Sequence, residues 1–174
     1  MRIILFVPLS VFLVITVLLW SALEREPGNL PSALIGRPFP KFSLTKLRAQ
    51  DQYLSERDLI GAKALVNVWG TWCYACKFEH SYLQKLASKG VKIIGLNYKD
   101  NREAAIEWLE KLGDPYSVTI FDKEGSLGLD IGVYGAPETY LIDAQGIILH
   151  RRVGVLDQKV WEREFSQYYA DSGE

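Results

Sequence analysis

The sequence predicts an α/β domain, a mixed central sheet with helices on both faces, behind one N-terminal membrane-spanning helix. Three observations carry this reading. The apolar run Ala64-Leu65-Val66-Asn67-Val68 leads into Cys73-Tyr74-Ala75-Cys76 and then a helical pattern, which is the form of a strand covered on both faces that feeds a helix. A second apolar run, Val91 to Asn97, follows that helix, so the pair makes a β-α-β unit with parallel strands. Two further runs, Glu138 to Ile142 and Ile147 to Arg151, are separated only by Asp143-Ala144-Gln145-Gly146. So short a connection calls for an antiparallel hairpin, and one sheet then holds both strand senses.

The 174 residues suffice for one domain with a sizeable core. Twenty lysines and arginines against 21 acidic residues leave a net charge of -1 without a basic patch, which gives no footprint for nucleic acid. No repeat or low-complexity tract is present.

In chain order, Arg2 is followed by an uncharged stretch from Ile3 to Leu23. At about 1.5 Å per residue it spans roughly 31 Å as a helix, the thickness of a bilayer core. Its exit, Leu19-Trp20-Ser21-Ala22-Leu23-Glu24, lacks an Ala-x-Ala-like cleavage site, so residues 1–23 read as an uncleaved anchor rather than a removed signal. Trp20 suits an interface. The flanking charge bias is small, and orientation leans on the chemistry below, because a dithiol is most useful where disulfides form. Residues 24–36, with Pro27, Gly28, Asn29 and Pro31, read as a polar linker, and residues 37–174 as the domain. Phe39 to Leu44 alternates like a strand, with its proline placing it at an edge. Ser55 before Glu56-Arg57-Asp58 suggests a short capped helix.

A helix is expected from about Tyr74 to Lys89, ended by Gly90. Another runs from Arg102 to Leu112, with Ala105, Trp108, Leu109 and Leu112 on one face. Val118 to Phe121 is a short strand, Ser126 to Ile131 a helical turn, and Asp157 caps a final helix that carries Trp161, Phe165 and Tyr168 on one face. This is a thioredoxin-like order of elements.

Cys73 and Cys76 are the only cysteines. Cys73 stands where unpaired backbone N–H groups and the helix dipole favour a thiolate, with a pKa lowered toward about 3.5–7.5. It is the candidate nucleophile, and Cys76, one turn on, the candidate resolving thiol. Trp72 and Tyr74 would form an apolar rim on which a polypeptide can rest. A zinc or copper set would have to combine Cys73, Cys76, His80 and His150, which lack zinc-finger spacing. The haem-attachment pattern fails because position 77 is Lys. No metal and no cofactor is assigned, and His80 reads as a solvated helix residue. Cys76, Glu79, Leu83 and Leu86 share one helix stripe. Glu79 there would oppose a nearby thiolate or, with its own pKa raised, relay a proton; a glutamate angled to water is the alternative. Asn67 points into the same region and cannot act as a base. Glu138 follows Ala136-Pro137, which on these residues alone is an ordinary turn proline.

Taken together, Trp72-Cys73-x-x-Cys76 and Gly132-Val133-Tyr134-Gly135-Ala136-Pro137-Glu138-Thr139 are similar to the thioredoxin-like thiol:disulfide interchange proteins of bacterial cytochrome c maturation, the DsbE/CcmG family. Ser32 to Pro38, Leu96 to Asp100 and Leu127 to Asp130 extend the resemblance over nearly the whole chain. It implies a single-pass protein of the bacterial inner membrane with its C-terminal domain in the periplasm. It implies a reductive role, in which a Cys73–Cys76 redox disulfide helps keep the haem-binding cysteines of apocytochrome c as thiols, directly or through a partner thiol protein. An integral-membrane thiol reductase would supply the electrons. It further implies a cis Pro137 beside Cys73, a substrate-binding surface of Trp72, Tyr74, Tyr134, Ala136 and Pro137, and acidic Glu79 and Glu138 near the thiols.

Two departures stand out. Tyr74-Ala75 occupies a loop where relatives usually carry a proline, which removes a φ constraint. Asn67 replaces the buried aspartate of general thioredoxins, so proton handling is expected to fall to Glu79 and Glu138. Rival readings on the same fold are a periplasmic binding module, acting as apocytochrome holdase or copper chaperone, and a thiol peroxidase.

Overall fold

The computed structural model describes residues 7–23 and 33–170. They fall in two separate units, divided between Leu30 and Pro31. The first is helix α1, Val7–Leu23, 17 residues without a charged side chain. Among the described residues no helix is long and apolar enough to cross a membrane; residues 1–6 of the expected anchor, and residues 24–32 of the expected linker, lie outside the description.

The second unit is a seven-stranded sheet in the order β2-β1-β5-β4-β3-β6-β7, with β1 Leu44–Lys46, β2 Ala49–Leu54, β3 Ala64–Trp69, β4 Ile93–Tyr98, β5 Val118–Asp122, β6 Glu138–Ile142 and β7 Ile148–Val153. β3, β4 and β5 are parallel, and the other pairs are antiparallel. The parallel pairs are joined by α2, Tyr74–Ser88, and α3, Arg102–Leu112. Both crossovers step the same way along the sheet, so both helices lie on one face. There Leu83, Leu86, Ala105 and Leu109 pack with Leu65, Trp69, Leu141 and, from the C-terminal helical stretch, Val160 and Phe165. The opposite face is covered more thinly, by Phe39, Leu59 and α4 (Ser126–Asp130) over Val66, Val68, Ile94, Tyr140 and Ile142. All six residues of β3 are buried, as a strand between two covered faces requires.

Two sequence expectations are corrected at the sheet edge. Phe39 to Leu44 is not a strand: only Pro38 bridges Ile147, and the first strand begins at Leu44. Pro38 and Pro40 have no N–H to donate to a ladder, and the arm instead drives Phe39 into the core. β2 went unread because its residues are polar and exposed apart from Ala49 and the buried Leu54, which erases the alternation that marks a half-buried strand. The Ser55 cap is present, with Asp58 Oδ2 accepting from the Ser55 N–H at 2.7 Å and its hydroxyl at 2.9 Å, over a 3-10 turn at Glu56–Leu59. Asp157 caps the last helical stretch through the Val160 N–H at 2.8 Å.

Candidate active site

Cys73 follows the carboxyl end of β3 and is the N-cap of α2. Its sulfur accepts the Cys76 N–H at 3.1 Å, one of the first-turn N–H groups that have no partner inside the helix. Cys73 and Cys76 are joined as a disulfide with their Cα atoms 5.4 Å apart, and Cys76 is the deeper of the two, 2% exposed against 6%.

The approach to Cys73 is fixed from β4. Asp100 accepts from the Thr71 N–H at 2.7 Å and the Thr71 hydroxyl at 2.6 Å, and also from Asn97 Nδ2 and the Asn101 N–H. The Trp72 indole N–H donates to the Tyr98 carbonyl at 3.0 Å. Gly70 is required by that indole, since a Cβ at position 70 would come within 2.5 Å of Trp72 Nε1. Sequence reasoning missed Asp100. The signal was its place just past the carboxyl end of a central parallel strand, where α/β sheets carry their sites.

Trp72, Tyr74, Phe78 and Tyr134 are all more than half exposed. Tyr74 and Phe78, one turn apart on α2, meet edge to face at 5.0 Å. Trp72, Tyr74 and Phe78 lie at the start of α2, and Tyr134 lies on the 132–138 loop beside Arg151. Phe78 was not singled out by the sequence.

Behind the disulfide lies a closed polar network. Glu79 is 1% exposed. Its Oε1 accepts from Asn67 Nδ2 at 2.9 Å and its Oε2 from the Leu156 N–H at 2.8 Å. Asn67 donates as well to Thr139 Oγ1 and accepts the Tyr116 hydroxyl at 2.8 Å. Burial pushes the Glu79 carboxyl up to about 7, against the two hydrogen bonds, which favour its charged form. The glutamate angled to water is therefore excluded. Burial, followed by the Glu79 charge, holds the Tyr116 hydroxyl well above its ordinary range.

Ala136-Pro137 is a cis peptide, and Ala136 packs against the apolar cluster that contains Cys73 and Cys76. Pro137, like Cys73, is buried. Glu138 does not join Glu79. Side chains alternate along β6: Thr139 and Leu141 face the cysteines with Asn67, while Glu138 and Tyr140 face the other side. There Glu138 Oε2 is bound by Arg151 Nη2 at 2.7 Å and Nε at 3.0 Å and by the Tyr140 hydroxyl, and its Oε1 accepts the Tyr134 N–H. Arg151 also donates to the Gly132 carbonyl at 2.8 Å and lies over the Tyr134 ring at 5.1 Å. Glu138 thus ties the 132–138 loop to β7, on the sheet face opposite the one where Asn67 meets Glu79, so the two carboxylates do not share a site.

His80 is also corrected. It is buried, its Nε2 lies 2.8 Å from the Gly113 carbonyl and its ring meets Trp108 edge on. His150 sits 3.2 Å from Glu164 Oε2 and against Phe165. Neither imidazole is directed to the sulfurs.

Residues 34–171 match the Redoxin family. The chain is 55% identical to the thiol:disulfide interchange protein DsbE of Pseudomonas aeruginosa over 97% of its own length and 93% of that protein's. The chain belongs to the redoxin family, among the DsbE thiol:disulfide interchange proteins. DsbE of Escherichia coli K12 is 49% identical over 94% of this chain and 91% of its own. Among solved structures, a DsbF homologue from Corynebacterium diphtheriae superposes with a TM-score of 0.66 over 82% of this chain and 96% of its own at 19% identity, which shows the shared thioredoxin-like fold. Thiol:disulfide interchange through the Cys-x-x-Cys pair is the activity that goes with DsbE membership, and the sequence resemblance to that family holds.

Proposed function

We propose that this DsbE-family protein is a membrane-anchored periplasmic dithiol reductant that returns the haem-binding cysteines of apocytochrome c to thiols, directly or through a partner thiol protein. The observation that carries the reading is the pairing of Cys73, at the cap of α2, with the deeper Cys76 beside exposed Trp72 and Tyr74, in a chain with DsbE relatives at 49–55% identity. The uncharged run from Ile3 to Leu23 supports an anchor that is longer than the described helix. DsbE proteins serve cytochrome c maturation as reductants, and an integral-membrane thiol reductase is the class of donor that would re-reduce the pair.

Reduced Cys73 attacks one sulfur of the target disulfide as a thiolate, forming a mixed disulfide and releasing one target thiolate. Cys76 loses its proton and attacks the Cys73 sulfur, which releases the second target thiolate and leaves Cys73–Cys76 oxidised. Two electrons pass to the target, and its two thiolates take up two protons. Helix-terminus N–H groups stabilise the Cys73 thiolate. Glu79, on the same helix one turn from Cys76, takes the Cys76 proton: its carboxyl, raised to about 7 by burial, is matched to transfer near neutral pH. Trp72, Tyr74, Tyr134 and the Ala136-Pro137 backbone receive the target segment.

The test is capture. A Cys76→Ser protein is expected to accumulate mixed disulfides through Cys73 with apocytochrome c or a dithiol partner of its assembly, resolved by dithiothreitol and absent from Cys73→Ser/Cys76→Ser. Capture confined to other classes of protein would sink the assignment.

A further inference from the structure

A groove of about 310 Å³ opens beside Cys73 between the start of α2 and the last turn of α3. It lies on the α3 side of Cys73, where Trp108 and Leu112 form its floor with Trp72. Lys77 and Lys111 are the only charged residues that line it. Both are exposed, and neither forms an ion pair among the described residues. Of the acidic residues near Lys111 in sequence, Glu110 and Asp114 both pair with Arg48, at 3.3 and 3.5 Å, while Glu107, one turn before Lys111 on α3, is exposed and does not line the groove. The result is an aromatic slot with two exposed lysines and no carboxylate in its lining, beside the sulfur that attacks.

By contrast, the larger cavity of about 550 Å³ near Arg102 and Phe121 contains neither cysteine. The Arg102 guanidinium donates to the Lys46 and Leu47 carbonyls and to Thr45 Oγ1, and the lining of this cavity mixes Asp100 and Glu103 with Arg102 and Lys123.

We propose that the groove selects polypeptide disulfides that carry an aspartate or glutamate beside the attacked cysteine. The apolar floor takes the aliphatic stem of that side chain, and its carboxylate is drawn to Lys77 and Lys111. Complementary charge at the rim acts chiefly on encounter and orientation, in a salt-dependent way. This deepens the proposed reduction of protein disulfides and rests on it.

The test uses the full-length reduced protein and two synthetic peptides, each closed by a Cys-x-x-Cys disulfide and identical but for glutamates or lysines flanking the first cysteine. A neutral small disulfide, 2-hydroxyethyl disulfide, is the reference substrate. At low ionic strength the acidic peptide is expected to be reduced roughly tenfold faster in kcat/KM than the basic one. That ratio should fall toward one in about 0.5 M salt, where the Debye length shrinks to a few ångströms. In Lys77→Glu/Lys111→Glu, two exposed changes, the preference should invert. Equal rates on the two peptides, or a preference that survives charge reversal, would overturn the groove assignment while leaving protein-disulfide reduction intact. Reduction of the reference disulfide with neither peptide turned over would overturn the proposed function itself, and the groove with it.

Discussion

Arg151→Met is expected to destabilise the domain by about 3–5 kcal/mol, the cost of leaving a buried carboxylate without its partner. Glu138 is fully buried and the Arg151 side chain 7% exposed, so water cannot take over the neutralisation. The guanidinium contributes two hydrogen bonds to Glu138 Oε2 and one to the Gly132 carbonyl. Methionine preserves much of the volume but none of these. For a domain of this size the loss corresponds to roughly 10–15 °C in Tm. In Arg151→Met/Glu138→Gln the stranded charge is gone, and a substantial part of the stability should return, as expected of groups in direct contact. If the single variant melts within 2 °C of the wild type, or if the second change adds a further full loss, the ion pair does not hold the 132–138 loop. Urea unfolding followed by circular dichroism reads both outcomes.

Glu79→Gln should remove a pH dependence of stability of order 3 kcal/mol. The native carboxyl sits at about 7 against 4.5 in the reference state, and each unit of that difference corresponds to about 1.36 kcal/mol. Because the folded pKa lies above the unfolded one, the native state binds the extra proton between about pH 4.5 and 7. The stability that this proton confers is full below 4.5 and lost as pH rises through 7. The wild type minus variant difference should therefore decline across that window and be flat above about pH 8. Glutamine keeps the shape but can accept from only one of the Asn67 and Leu156 donors, a loss that does not vary with pH, so the pH dependence of the difference reports ionisation. Parallel curves would mean that Glu79 stays charged when folded, and that it cannot receive the Cys76 proton near neutral pH.

The fold was legible where burial leaves a pattern. β3 and β6 occur at Ala64–Trp69 and Glu138–Ile142 and are buried throughout; their apolar residues, interrupted by Asn67 and by Glu138-Thr139, still form runs bounded by turn residues. The β1–β2 hairpin left no such mark, being polar on an open edge. Glu79 was legible through helical period, since Cys76 and Leu83 pin the inward stripe. The same period places His80 four residues from Cys76, yet its imidazole read as solvated because the sequence does not display the Gly113 carbonyl and Trp108 that receive it.

Glu138 is the instructive case. The family resemblance implied a place near the thiols, but strand parity sends successive side chains to opposite faces. Thr139 takes the cysteine side, and Glu138 goes to Arg151. That pairing was available from the hairpin: Arg151 sits opposite Tyr140, a diagonal neighbour of Glu138 on the same face. Tyr116 and Leu156, in contrast, reach the Asn67–Glu79 network from two separate segments, and no local pattern announces such convergence.

The central claim is the direction of electron flow, and it is tested most directly by equilibrating the protein with defined ratios of reduced and oxidised glutathione and quantifying the Cys73–Cys76 dithiol. A reductant of protein disulfides should give a reduction potential of about −180 mV or lower, the range from isomerases to thioredoxin. A value near about −120 mV, typical of a strong periplasmic oxidant, would contradict the account.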